Sequence, residues 1–182
     1  MRINSKDLVE DLLQRTRVFK SQVENLKKLS EGELNWKENA DTWSVLENLE
    51  HLNRYGYFYI PEISRQIKAS HHSPRPEFKS SWLGNYFAKS MLPNEKLNKM
   101  NTFKDMNPNG SELSNEVIDT CLKQQDNLIK LLNAAIEVDL SKTKTGITLS
   151  KWIRLRLGDT FRVLIYHNQR HQVQIKRTLN QM

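Results

Sequence analysis

The chain has 182 residues, 37% hydrophobic and 27% charged, with a net charge of +7, which suits one compact domain with its own core. A single cysteine, Cys121, excludes an internal disulfide and Cys-rich zinc motifs. No run of 18 apolar residues exists to span a membrane, and scarce glycine (6) and proline (5) argue against a large β-sandwich.

The opening "MRINSKDLVEDLLQ" lacks the apolar segment of a secretion signal, so a cytoplasmic location is expected. Leu8, Leu12, Phe19, Val23 and Leu26 recur at helical spacing, which predicts an amphipathic helix over 5–29. Ser5 is its expected N-cap and Gly32 its expected stop. "TWSVLENLEHLNRYGYFYIPEI" starts a second helix. Ser44 and Glu47 have capping-box spacing, and Val45, Leu49 and Leu52 form its core stripe. Gly56 weakens that helix or marks a close approach, and Pro61 is expected to kink or break it near Tyr59 or Ile60.

Residues 70–110 hold four of the five prolines and show little periodicity, yet carry Trp82, Tyr86, Phe87 and Phe103. They read as a long ordered crossover with short helical turns. A third helix is expected over 112–137, with Cys121 on its apolar face as a small buried hydrophobe. Ile153, Leu155 and Leu157 alternate with Arg154 and Arg156, a period of two that predicts an extended lead-in. Asp159 is the expected N-cap of a last helix over about 160–178. Four long helices with a crossover between the second and third point to an all-α four-helix bundle in a single domain.

The last helix carries "RVLIYHNQRHQVQIKR". His167 and His171 stand four residues apart, about 40° apart around the helix, so both imidazoles can reach one ion. Phe161, Leu164, Ile165 and Ile175 define the apolar face, and the two histidines sit at its edge. Arg162, Gln169 and Lys176 lie beyond the other edge. Two nitrogens rarely suffice for a tight site. His51, flanked by Tyr55 and Phe58 on the second helix, is the third candidate. His71 and His72 lie in a polar loop and read as surface residues. An isolated pair at this spacing is also compatible with ordinary helix-surface histidines. No Asp or Glu occurs within 160–178, which disfavours a di-iron carboxylate site.

"LNWKENADTWSVLENLEHLNR" and, far downstream, "LGDTFRVLIYHNQRHQVQI" together resemble the DinB/YfiT-like superfamily. The matching features are Trp43-Ser44, His51-Leu52, and His167, Arg170, His171, Gln174 and Ile175. The resemblance spans essentially the whole chain. It implies a four-helix bundle with a divalent metal held by His51, His167 and His171. It also implies a homodimer, and in several members a transferase or isomerase using a low-molecular-weight thiol such as bacillithiol or mycothiol. Other members have no known activity.

Three neutral imidazoles suit Zn²⁺, Ni²⁺, Cu²⁺ or Fe²⁺, with Zn²⁺ and Ni²⁺ as first choices, and leave coordination positions open, as in catalytic rather than closed sites. A thiol or water in an open position would lose its proton more readily, for transfer to, or hydrolysis of, a small-molecule substrate. Glu47 is the nearest candidate base, although its capping role is the simpler reading. Arg170 is a candidate anchor for an anionic group or a structural ion-pair partner. Trp82, Tyr86 and Phe87 either roof the site or, the simpler reading, pack into the core. The rival to an enzyme is a non-enzymatic stress or scaffold protein with a structural or vestigial metal site. Nucleic-acid binding is disfavoured, because the positive charge is spread along the chain without a block of like charges.

Overall fold

The computed structural model describes residues 1–93 and 102–182. The chain is mostly helical with two small two-stranded sheets. In order come β1 (Arg2–Asn4), α1 (Ser5–Leu26), α2 (Glu31–Asn35), α3 (Val45–Lys68), β2 (Glu77–Lys79), α4 (Trp82–Met91), α5 (Glu116–Ala134), β3 (Lys144–Ile147), β4 (Ser150–Arg156) and α6 (Leu157–Gln181). Short 3₁₀ turns cover Lys104–Met106 and Ala135–Glu137. Antiparallel pairing joins β1 to β2 and β3 to β4. The long helices α1 and α3 each pack against both α5 and α6. No helix among the described residues is long and apolar enough to cross a membrane.

Local sequence explains most boundaries. Asn4, not Ser5, caps α1: its Oδ1 accepts from the Lys6 and Asp7 amides at 2.8 and 3.4 Å. The helix ends at Leu26, and Gly32 lies inside the short α2 instead of stopping α1. Ser44 caps α3 through the expected capping box with Glu47. Pro61 does not break α3, which runs on to Lys68. The carbonyl it deprives belongs to Tyr57, on the solvent side of the helix, where water can bond it. Buried Tyr59 and Ile63 hold the helix on either side of the proline.

The expected crossover contains more order than short turns. Strand β2 closes on the N-terminus, and α4 is a ten-residue helix capped by Ser81. The part of the crossover at 94–101 lies outside the described residues. The extended lead-in is β4, which turns back on β3 to form a hairpin. Asp159 is not the cap of α6. That helix begins at Leu157, with Arg156 at the cap position, and Asp159 is fully buried in its first turn. Arg162, expected beyond the apolar edge, is buried beside it.

The core divides in two. One apolar cluster joins Leu8 and Leu12 to Ile63, Leu132, Leu157 and Phe161. The other joins Phe19 and Val23 to Leu46, Leu49, Ile118 and Ile175. Between them lies a buried polar layer. Gln124 Nε2 donates to the Asn53 carbonyl at 3.1 Å, Asn53 Nδ2 to the Val117 carbonyl at 3.0 Å, and Asn168 Nδ2 to Gln125 Oε1 at 3.1 Å. Gly56 marks the close approach: a Cβ there would come within 1.9 Å of Gln124 Oε1.

Cys121 sits in the second cluster with no exposure, and burial pushes its thiol up to about 12. A thiol that is neither exposed nor ionised is inert. Native protein should therefore leave a chromogenic disulfide reagent unreacted, with one thiol appearing on unfolding in urea. Rapid labelling of the folded chain would contradict this placement.

Candidate metal centre

The three candidate histidines come together at the polar layer. His51 projects from α3, and His167 and His171 project from α6, one turn apart. His51 Nε2 lies 3.3 Å from His167 Nε2, and His171 Nε2 lies 3.0 Å from the same atom. Metal–imidazole bonds of about 2.0–2.1 Å put neighbouring ligand nitrogens roughly 2.9–3.4 Å apart, so both of these spacings fit one ion, and ligand atoms of all three rings lie within 4.8 Å of one another. His71 and His72 are exposed in their loop, as expected of surface residues.

The other ring nitrogens fix the tautomers. His51 Nδ1–H donates to the Met106 carbonyl at 2.6 Å. His171 Nδ1–H donates to Asn48 Oδ1 at 2.8 Å, and Asn48 Nδ2 in turn donates to the Ser44 carbonyl at 2.9 Å, which sets the amide orientation. The neutral rings of His51 and His171 therefore both turn a bare Nε2 lone pair toward His167 Nε2. A single proton on His167 Nε2 could satisfy only one of them well. A cation among the three satisfies all, and the hydrogen-bonded Nδ1 atoms are the usual outer partners of ligating imidazoles.

Electrostatics agree with that donor set. Burial pushes His51 down to about 4, with the Met106 bond opposing and Arg54 adding slightly to the shift. Burial, the neighbouring imidazoles and Arg170 hold His167 and His171 well below the usual imidazole range. All three rings are neutral at pH 7 and available as ligands. Because these folded values lie below the ordinary 6.5, the unfolded chain takes up protons first as the pH falls. Their stabilisation is present in full above pH 6.5 and is lost progressively toward pH 4. The urea midpoint of metal-free protein should therefore fall between pH 7.5 and 5, less steeply in a His51→Gln variant. Identical slopes would count against neutral burial of His51.

Aromatic rings wall the site. Trp43 lies with its ring centroid 4.7 Å from that of His51 and stacks on His171 at 5.9 Å and 15°. Tyr55 meets His51 and His167 edge-on, each at 5.0 Å, and burial raises its phenol, so it stays a neutral donor. The imidazoles open onto a cavity of about 700 Å³. Tyr86 and Phe87 line it, as do Arg170 and Gln174. Trp82 is 83% exposed and neither lines the cavity nor packs into the core; Tyr86, 60% exposed, is likewise outside the core, and Phe87 is half-buried against it. Arg170 is buried in the cavity wall, and burial lowers its guanidinium.

Glu47 is held as a cap. Its Oε2 accepts from the Ser44 amide at 2.8 Å, and its Oε1 from Lys37 Nζ at 3.0 Å and the Gly110 amide at 2.6 Å. It is not among the residues lining the cavity. Sequence reasoning missed Asn48, Met106 and the walling role of Trp43. Asn48 was detectable: it stands one turn before His51 on the same helix face. The Met106 carbonyl carries no signal in side-chain pattern.

No curated protein and no solved structure is significantly similar to the chain. The family model described as the DinB superfamily matches residues 13–175, most of the chain and all three histidines. The chain thus belongs to the DinB superfamily.

Proposed function

We propose that this chain is a divalent-metal-dependent enzyme acting on a small molecule: a transferase with a low-molecular-weight thiol as co-substrate, or a hydrolase with water in its place. His51, His167 and His171 are the ligands, and α1, α3, α5 and α6 are the four helices of the family's bundle. One observation carries the reading. The three Nε2 atoms meet on the wall of a cavity of about 700 Å³ and not in a closed interior. A closed structural site would need a fourth protein ligand, and no further His, Cys, Asp or Glu joins the cluster among the described residues.

A bound divalent ion would supply Lewis acidity, favouring the deprotonated form of a thiol or water. Three imidazoles suit Zn²⁺, Ni²⁺, Cu²⁺ or Fe²⁺, and Zn²⁺ and Ni²⁺ are the first choices. The chain's own groups do the remainder. Met106 and Asn48 hold two of the rings in their ligating tautomer. Trp43 and Tyr55 exclude water from one side and keep the field of the site strong. Tyr55, a neutral phenol, offers a proton at the cavity face. Arg170 supplies positive charge on the cavity wall for an anionic group.

Elemental analysis of chelator-free protein should find about one equivalent of a divalent metal, and close to none in a His51→Ala/His167→Ala/His171→Ala variant. Equal content in the two would end the proposal. Metal-loaded protein given a panel of small thiols and a chromogenic aryl halide should turn over faster than that variant. No difference, with metal present, would favour a non-enzymatic metal-binding protein.

A further inference from the structure

The cavity is a groove along one face of α6, and its character changes from end to end. Its α6 wall runs Val163, Leu164, His167, Arg170, His171, Gln174, Arg177, Thr178 and Gln181. These successive spacings of one and three keep to one helix face, and the 18 steps from Val163 to Gln181 at about 1.5 Å each give roughly 27 Å. The residues before His167 are apolar, and all of those after it are polar. The opposite wall repeats the gradient. Asn48 on α3 faces the polar end, whereas Tyr55 and Tyr59 continue toward the apolar end.

Other elements sharpen the division. At the apolar end, α4 adds Tyr86, Phe87 and Met91, and the hairpin adds Leu149 and Leu155. Hydroxyls interrupt this lining: Ser90 Oγ donates to the Phe87 carbonyl at 2.8 Å, Thr148 Oγ1 lies 3.4 Å from the Tyr59 hydroxyl, and the Tyr55 and Tyr86 phenols add polar tips to apolar rings. At the polar end the loop before α3 contributes Glu38, Asp41 and Thr42, with Trp43 the one large apolar ring there. Gln174 Oε1 is buried there without a partner among the described residues. The histidine cluster stands at the border.

We infer that the apolar half of this groove is a subsite for an aryl or alkyl body, so that the substrate is a hydrophobic molecule whose reacting atom lies at the border, beside the three histidines. The position of the reacting atom rests on the metal-dependent reading above; the apolar subsite rests on the lining alone. A cavity of this volume suits a molecule of ordinary small-ligand size, and partial burial of its apolar part drives binding without any charge.

The test uses neutral 1-alkanols, from 1-butanol to 1-octanol, titrated calorimetrically into the full-length protein. Affinity should rise about two- to fourfold per methylene until the apolar half is filled. Tyr86 and Leu149 line the groove and are 60% and 45% exposed, so their loss should leave the fold intact. Tyr86→Ser/Leu149→Ser should flatten the rise and weaken 1-octanol several-fold while barely changing 1-butanol. A flat series in the parent, or an unchanged rise in the double variant, would overturn the subsite. The same series on the triple His→Ala variant separates the two readings. A persisting rise beside absent metal in the parent leaves the subsite standing and removes the metal-dependent reading. A flat series with one equivalent of metal does the reverse.

Discussion

Asp159→Ala should destabilise the protein by about 3–5 kcal/mol, the usual cost of stranding one member of a buried ion pair. Arg162, 2% exposed, donates to Asp159 Oδ1 at 3.1 Å and to Asn85 Oδ1 at 3.1 Å. Asp159 also accepts from the Ser80 hydroxyl and, at 2.9 Å, from the Ser81 amide. Removing the carboxylate leaves a guanidinium without a counter-charge and several donors without an acceptor. It also releases α4, whose Gly84 lies so close that a Cβ there would come within 2.2 Å of Asp159 Oδ2. Urea unfolding should show the loss, and the melting temperature should drop by roughly 6–20 °C. Replacing both partners together, as Asp159→Leu/Arg162→Met, should recover much of it, since a well-packed apolar pair avoids the unpaired charge. A double variant no better than Asp159→Ala would show that the cost lies elsewhere than in the stranded guanidinium.

The second large effect concerns Asn48. Asn48→Leu keeps a side chain of similar size but removes the acceptor for His171 Nδ1–H, leaving the ring's tautomer and orientation unset. Loss of such an outer partner typically costs 10–100-fold in metal affinity. Competition against a chromogenic chelator should report that loss, with circular dichroism confirming an intact helical content. Asn48→Asp keeps the acceptor and adds charge, so its affinity should match or exceed that of the parent. Equal affinity in Asn48→Leu and the parent would remove Asn48 from the centre's support.

These expectations differ in how far the sequence alone could have led to them. The helices were legible where periodicity and capping acted together: Ser44 and Glu47 set the start of α3, and the leucines of α1 its buried face. Boundaries failed where a neighbour's chemistry intervened. Asn4 offered a better-placed oxygen than Ser5. Asp159 has the chemistry of an N-cap, but its buried bonds to Ser80, Ser81 and Arg162 come from tertiary structure. The break expected at Pro61 followed a local rule that packing around Tyr59 and Ile63 overrode. The three histidines were legible as a set only through a pattern extending across the whole chain, because one helix supplies two and a distant helix the third. The cavity was not legible, since its apolar end depends on how α4 and the β3–β4 hairpin meet α6.

The buried polar layer has a kinetic consequence. The apolar clusters on either side of it already draw α6 onto α1, and the histidine contact adds a link between α3 and α6 across 116 positions. Closing a loop of that length costs about 4 kcal/mol in chain entropy. An ion gripped by all three rings would therefore act as a removable clasp between the early and late parts of the chain. Its grip would be felt most by the docking of α6, the last long helix in the chain and the one that supplies two of the three rings.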